Sequence, residues 1–113
     1  MLAMESQPAV IETEIFRALA DPTRRAVLER LGKGEQTVTE LRTGFAVSQP
    51  AISQHLAALR RAGLVCERRA GRHVYYRADP AGIAPLIGWI ERYQSFWRDR
   101  LERLKDVLQE MDE

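Results

Sequence analysis

Residues 37–77 read TVTELRTGFAVSQPAISQHLAALRRAGLVCERRAGRHVYYR, and the fold turns on how this stretch divides. Thr37 stands three residues before Glu40, the spacing of a capping box, with Thr39 as a competing cap. A short helix is expected from there to about Phe45, and Ala46 and Val47 then make a tight turn. Ser48 is placed to cap the next helix, and Pro50 sits in its first turn, where a missing N–H costs nothing. Ile52, Leu56 and Leu59 recur at i, i+4 and i+7, one face of that helix. Gly63 ends it, and Leu64 follows as the hydrophobic partner of a glycine stop. Leu64 to Arg69 and His73 to Ala78 then read as two short strands, with Ala70, Gly71 and Arg72 at the tip between them. Val74 and Tyr76 share one face of the second strand, Tyr75 and Arg77 the other.

Upstream, a first helix is expected over residues 8–20, with Ile11, Ile15, Phe16 and Leu19 on one side. Asp21 and Pro22 then open a second helix, whose apolar face is Val27, Leu28 and Leu31 and whose stop is Gly32. Downstream, Asp79 and Pro80 restart the chain as a long helix over residues 80–111, its first turns weakened by Pro85 and Gly88. From Leu86 its apolar residues run Ile90, Tyr93, Trp97, Leu101, Leu104, Leu108 and Met111, in steps of three or four. Trp89 and Phe96 widen that stripe. A domain this small has little core to cover so long a stripe, so a second copy of the chain is the expected partner, with packing on the chain's own helices as the alternative. The cluster Trp89, Tyr93, Phe96 and Trp97 also suits a small-molecule pocket, although packing is the commoner use of such residues.

The 113 residues, 45 % hydrophobic and 29 % charged, suit one globular domain over 1–113. No apolar run approaches the ~20 residues that span a bilayer, so no membrane partner is expected. The opening residues lack a basic stretch followed by an apolar one, and the single cysteine, Cys66, forms no internal disulfide; both fit a cytoplasmic protein. Charge is unevenly spread. Residues 48–77 hold six arginines against one acid, Glu67, a net +5, while residues 91–113 hold seven acids against five bases, a net −2. A basic centre with an acidic tail fits a chain whose middle meets a polyanion.

Two helices joined by a turn and followed at once by an arginine-rich hairpin form the winged helix-turn-helix pattern. The class is mainly α with a small β-hairpin wing: the helix-turn-helix over 37–63, the wing over 64–78. An α-helix fits the major groove of B-DNA, where each base pair has its own donor and acceptor pattern. The reading helix therefore needs an apolar anchoring face and short polar groups turned outward. Gln49 and Gln54 have the chemistry to pair with adenine, Ser53 to donate or accept, and Ala51 to touch a thymine methyl. Arg68, Arg69 and Arg72, with His73 beside them, are the candidates for phosphate or minor-groove contact. Double-stranded operator DNA is the expected partner. Catalysis has no support: there is no Gly-rich phosphate loop, no nucleophile with a spaced His and acid, and no convincing carboxylate pair.

The stretches ALADPTRRAVLERL (18–31), TVTEL (37–41), VSQPAISQHLAALRRAGLV (47–65) and RRAGRHVYYR (68–77) resemble the ArsR family of bacterial and archaeal repressors. The tail WIERYQSFWRDRLERL (89–104) resembles the SdpR-like autorepressor branch. The resemblance implies four helices, a two-stranded wing and a fifth helix, dimerised through the first and last helices. It implies DNA contacts at Ser48, Gln49, Ala51, Ser53, Gln54 and His55. A dimer interface is accordingly expected at Phe16, Leu86, Ile90, Tyr93, Trp97, Leu101, Leu104 and Leu108. Metal-sensing members carry a Cys-Val-Cys pair at the start of the third helix, where this chain has Thr37, Val38 and Thr39. Others carry Asp and His ligands on the last helix, which here has no histidine. His55, His73 and Cys66 lack ligand-like spacing. No metal and no cofactor are expected. A dimeric repressor without a metal trigger follows. The rivals are a metal- or thiol-redox-responsive repressor of the same fold and a protein-interaction module that has lost DNA binding.

Overall fold

The computed structural model describes residues 2–112, and the side chains from residue 10 onward. Seven elements follow in order: α1 (Leu2–Leu19), α2 (Pro22–Lys33), α3 (Val38–Arg42), α4 (Gln49–Arg61), β1 (Val65–Ala70), β2 (His73–Ala78) and α5 (Pro80–Asp112). The winged helix-turn-helix is thus the fold.

The caps are where local chemistry puts them. Asp21 precedes α2, and its carboxylate accepts from the N–H groups of Thr23 (2.8 Å) and Arg24 (3.1 Å). Thr37, rather than Thr39, caps α3, and both halves of the capping box form with Glu40. Ser48 caps α4 through the Ala51 N–H. Gly63, at φ 79°, closes α4 as the residues around it predict. Its N–H donates to the Arg60 carbonyl and the Leu64 N–H to the Leu59 carbonyl, the paired bonds of a Schellman stop.

Several boundaries differ from the sequence reading. α1 is helical from Leu2 rather than from residue 8, and residues 2–7 (LAMESQ) are mostly good helix formers. α2 continues through Gly32, and Gly34 ends it, in extended backbone with its N–H on the Leu31 carbonyl. α3 stops at Arg42 rather than near Phe45, because the Thr43 hydroxyl and the Arg30 guanidinium take its last carbonyls. β1 begins one residue late, since the Leu64 N–H already closes α4, and the hairpin loop is only Gly71 and Arg72, with Ala70 paired to His73. Of these two loop residues Gly71 has a positive φ (62°) and Arg72 does not, the pattern of a II′ turn.

The core is Ile15 and Ala18 of α1, Val27 and Leu31 of α2, Leu41 of α3, Ile52, Leu56 and Leu59 of α4, and Leu64 and Val65. Every helix but α5 places a residue in it. α5 contributes only Ile83 and Leu86, partly buried at its start. A close approach seats that start: a Cβ on Gly82 would lie 1.6 Å from the Gly63 carbonyl oxygen, so only glycine fits. The Asp79 N–H also bonds the Leu64 carbonyl. Farther along, Phe16 meets Trp89 edge-to-face at 5.0 Å and Glu12 pairs with Arg92. Beyond these contacts α5, about 50 Å long at 1.5 Å per residue, runs out from the body.

Candidate nucleic-acid interface

α4 is anchored on one side and open on the other. Ile52, Leu56 and Leu59 are fully buried, whereas Ser48, Gln49, Ser53 and Gln54 are exposed and Ala51 is half-buried. Among the described residues, no side-chain hydrogen bond holds Gln49, Ser53 or Gln54. Helical spacing extends the outward face through Ala57 to Arg61, also exposed, which sequence reasoning passed over. The signal was available, since Arg61 stands seven residues after Gln54. His55 lies on the flank turned to α2. Its Nδ1 accepts from Arg24 Nε at 3.3 Å, so one ring nitrogen is occupied within the domain. Arg24 thereby ties α4 to the α2 cap, where the backbone N–H of Arg24, helped by that of Thr23, holds the Asp21 carboxyl below its ordinary range.

Besides apolar packing of Val65, Tyr76 and Ala78 on the core, polar contacts fasten the wing to the body. The Gln36 and Tyr76 backbones exchange N–H···O bonds of 3.0 and 2.8 Å, an antiparallel bridge that the sequence did not disclose. Arg68 makes a two-pronged contact with Glu35, at 2.6 and 3.1 Å, and lies over the Tyr75 ring at 4.7 Å. That hydrogen bond holds the Glu35 carboxyl below, and raises the Arg68 guanidinium above, its ordinary value. Glu67 pairs with Arg60 at 3.1 Å, joining β1 to the last turn of α4. Burial pushes the Tyr76 phenol up, and the charge of its cross-strand neighbour Glu67 adds to the effect.

The four basic wing residues singled out in the sequence therefore differ. Arg68 is already bound. Arg69 shares a strand face with Glu67, the face turned to α4, and stands one step nearer the tip. Arg72 is in the turn itself, and His73 stacks loosely near Tyr75 at 6.1 Å. Arg69, Arg72 and His73 are exposed. Cys66 is half-buried in β1, with its Sγ near the Arg77 carbonyl. His55 in α4, His73 near the tip and Cys66 in the strand do not converge, and among the described residues no group of three or more His, Cys, Asp or Glu is placed to hold a metal ion.

The residues expected at a dimer interface divide likewise. Leu86 packs at the core edge, and Phe16 is held by Trp89. Ile90, Tyr93, Trp97, Leu101, Leu104 and Leu108 are all exposed along α5, Trp97 at 54 % and Leu104 at 53 %. The Trp89, Tyr93, Phe96 and Trp97 rings form a chain of edge and tilted contacts along α5. The concavity beside Trp97, Leu101, Leu104 and Leu108 is lined by this helix alone.

An exposed polar face on a capped, core-anchored helix, with a basic hairpin fixed beside it, is the reading head of a DNA-binding transcriptional regulator. Sequence comparison agrees: a helix-turn-helix domain model matches residues 19–68. The chain is 49 % identical over 78 residues to the HTH-type transcriptional regulator Rv2034 of Mycobacterium tuberculosis, covering 69 % of this chain and 73 % of that one. It is 34 % identical to the transcriptional repressor SdpR of Bacillus subtilis, over 67 % and 84 % of the two chains. It is also 34 % identical to the arsenical resistance operon repressor of Escherichia coli, over 90 % and 86 %. An ArsR-like transcriptional regulator from Rhodococcus superposes with a TM-score of 0.71 at 35 % identity, over 88 % and 93 %. A homodimeric winged helix-turn-helix domain from Mycobacterium bovis superposes at 0.63 and 29 % identity, over 77 % and 81 %. The chain belongs to the ArsR family of winged helix-turn-helix regulators. These relatives are transcriptional regulators, not enzymes, and no helix among the described residues is long and apolar enough to cross a membrane.

Proposed function

We propose that this chain is a cytoplasmic, homodimeric repressor that binds a roughly palindromic operator at its own or a neighbouring operon, with no metal trigger. The observation that carries the reading is the open outward face of α4 between two fixed flanks. Gln54 and Ser53 read base edges, with Gln49, Ala51 and Ser48 at the helix start and His55 at the flank. Arg69, Arg72 and His73 meet the backbone, while Arg68 fixes the wing through Glu35. The dimer sets two such heads about one DNA turn apart. Its seam is the exposed α5 stripe from Ile90 to Leu108, continued at the body by Phe16 and Leu86. Likeness to the transcriptional repressor SdpR supports the repressor reading.

Selection of bound sequences from random DNA, with the region upstream of the chain's own gene in the pool, tests this reading. A twofold-symmetric site that includes the upstream region is the expected result; recovery of DNA without sequence preference would overturn it. The competing reading is a metal-responsive repressor, favoured by the arsenical-resistance relative. Against it, Thr37 and Thr39 stand where thiolates would be needed, and Thr37 is engaged as the α3 cap. Zinc, cadmium or arsenite at low micromolar concentration is expected to leave the operator complex intact. A stoichiometric release reversed by EDTA would establish the competing reading instead.

A further inference from the structure

On the flank of α4 opposite the wing, α1, α2 and α4 enclose a cleft of about 170 Å³ lined by Glu14, Arg17, Ala18, Arg24, Ala58 and Arg61. Three guanidiniums and one carboxylate meet there. Glu14 is paired with Arg17 at 3.2 Å in the exposed i,i+3 geometry, so it offsets only part of the positive charge. Arg24 is fixed, with Nε on His55 and one terminal nitrogen near the Arg17 carbonyl at 3.5 Å. Arg61 is exposed, and among the described residues no carboxylate pairs with it. Ion pairs occupy three arginines elsewhere: Arg60 with Glu67, Arg68 with Glu35 and Arg92 with Glu12. The guanidinium is the side chain best matched to phosphate oxygens, because its planar fork donates two parallel hydrogen bonds.

We propose that this cleft is a phosphate seat for the DNA backbone, a clamp on the side of the reading helix away from the wing. The inference rests on the reading of α4 as the DNA-contacting helix. Arg61 extends the outward face that carries Gln54, about 10 Å further along the helix axis at 1.5 Å per residue. A strand bordering the groove that Gln54 reads passes beside Arg61 and lays one phosphate between Arg61 and Arg17. Arg24 supplies positive charge from behind while holding His55. The wing and the cleft then grip the backbone on opposite sides of α4. Each cleft contact adds affinity without sequence preference. A free phosphate ion shares this chemistry, but the open, one-sided cleft suits a phosphodiester that stays tethered to its duplex.

The test uses the full-length chain and its selected operator. Arg61→Ala and Arg17→Ala are each expected to lower affinity about fivefold near 0.15 M salt, equally on operator and random DNA. The slope of log affinity against log salt should flatten by about one for each arginine removed. Arg61→Lys should keep the wild-type slope, and Glu14→Gln should bind both DNAs more tightly. Unchanged affinity and slope in Arg61→Ala and Arg17→Ala would overturn the seat. So would saturable binding of inorganic phosphate at constant ionic strength, lost in Arg61→Ala, with an unchanged DNA salt slope, since the cleft would then serve a free anion. If instead the wild-type chain failed to prefer any sequence, the reading of α4 itself would fall, a result separate from either outcome.

Discussion

The body of the molecule and the outer two-thirds of α5 treat apolar residues in opposite ways. In the body, Ile15, Val27, Leu41, Ile52, Leu56, Leu59 and Leu64 are fully buried, and the caps and interelement arginines find partners within the chain. From Ile90 to Met111, eight large hydrophobic residues besides Ile90 itself stay exposed (Tyr93, Phe96, Trp97, Leu101, Leu104, Val107, Leu108 and Met111). Burial of a leucine side chain is worth about 1.5–3 kcal/mol, so a stripe of this length left in water has a strong drive to associate. The contrast teaches that the body is self-sufficient in packing, whereas the stripe of α5 is left uncovered by its own chain. Charged groups along α5, such as Arg100 over Phe96 at 4.1 Å, flank the stripe without covering it.

The sharpest way to break the comparison is Leu104→Glu. If the stripe is the seam between two copies, a twofold axis places the carboxylate in both chains and the dimer splits. Loss of the second half-site then weakens operator binding by about 10²–10⁴-fold, while the isolated body remains folded. Sedimentation beside an operator titration measures both effects. A mutant that stays dimeric and binds normally would place the seam elsewhere.

The converse change is Ile52→Ala, in the closed part of the core. It is expected to reduce unfolding free energy by about 2–5 kcal/mol in a denaturant titration, without a change in the subunit contact itself. A loss below 1 kcal/mol would mean that the site collapses freely, and the body would be less tightly packed than its burial indicates.

Gln54→Ala sharpens the contrast between the reading face and the rest of the body. It should remove about 1–3 kcal/mol of discrimination between operator and random DNA and leave stability nearly unchanged. An equal factor on both DNAs would show that Gln54 is not a base reader.

The smallest effect is the pH dependence of the wing's attachment. The folded-state pKa of Glu35 is depressed by Arg68, so the pair contributes stability above the ordinary carboxylate pKa, and that contribution disappears as pH falls through the depressed value. Glu35→Gln should therefore be less stable than the wild type at pH 7, and the two unfolding midpoints should converge in acid. A gap that stays constant down to pH 3 would exclude the ion pair as its source. Asp21 follows the same sign at the α2 cap.

Much of the reading head was legible in residue order because its determinants are local. Ser48, Thr37 with Glu40, and Gly63 with Leu64 each act within six residues, and the 3.6-residue period exposed the anchoring face of α4. The partners of the wing were not legible. Arg68 meets Glu35 across 33 positions, Arg24 meets His55 across 31, and no local pattern marks either pair. The early end of α3 escaped notice for the same reason, since Arg30 reaches it from α2.

Sequence by itself determined the element order, the N-terminal caps of α2 and α4, the outward polar face of α4 and the apolar period of α5, because each rests on backbone geometry within a turn or two. Only the tertiary structure decided which arginines are free. Arg68 and Arg60 are held by acids, no acid among the described residues pairs with Arg69, Arg72 or Arg61, and Arg17, Arg24 and Arg61 come together from three helices. It also decided that Gly82 abuts the Gly63 carbonyl, which directs α5 away from the body and leaves its stripe uncovered. The physical reason is range: a helix period is set by neighbours along the chain, whereas charge pairing and close approach depend on where the fold brings distant residues.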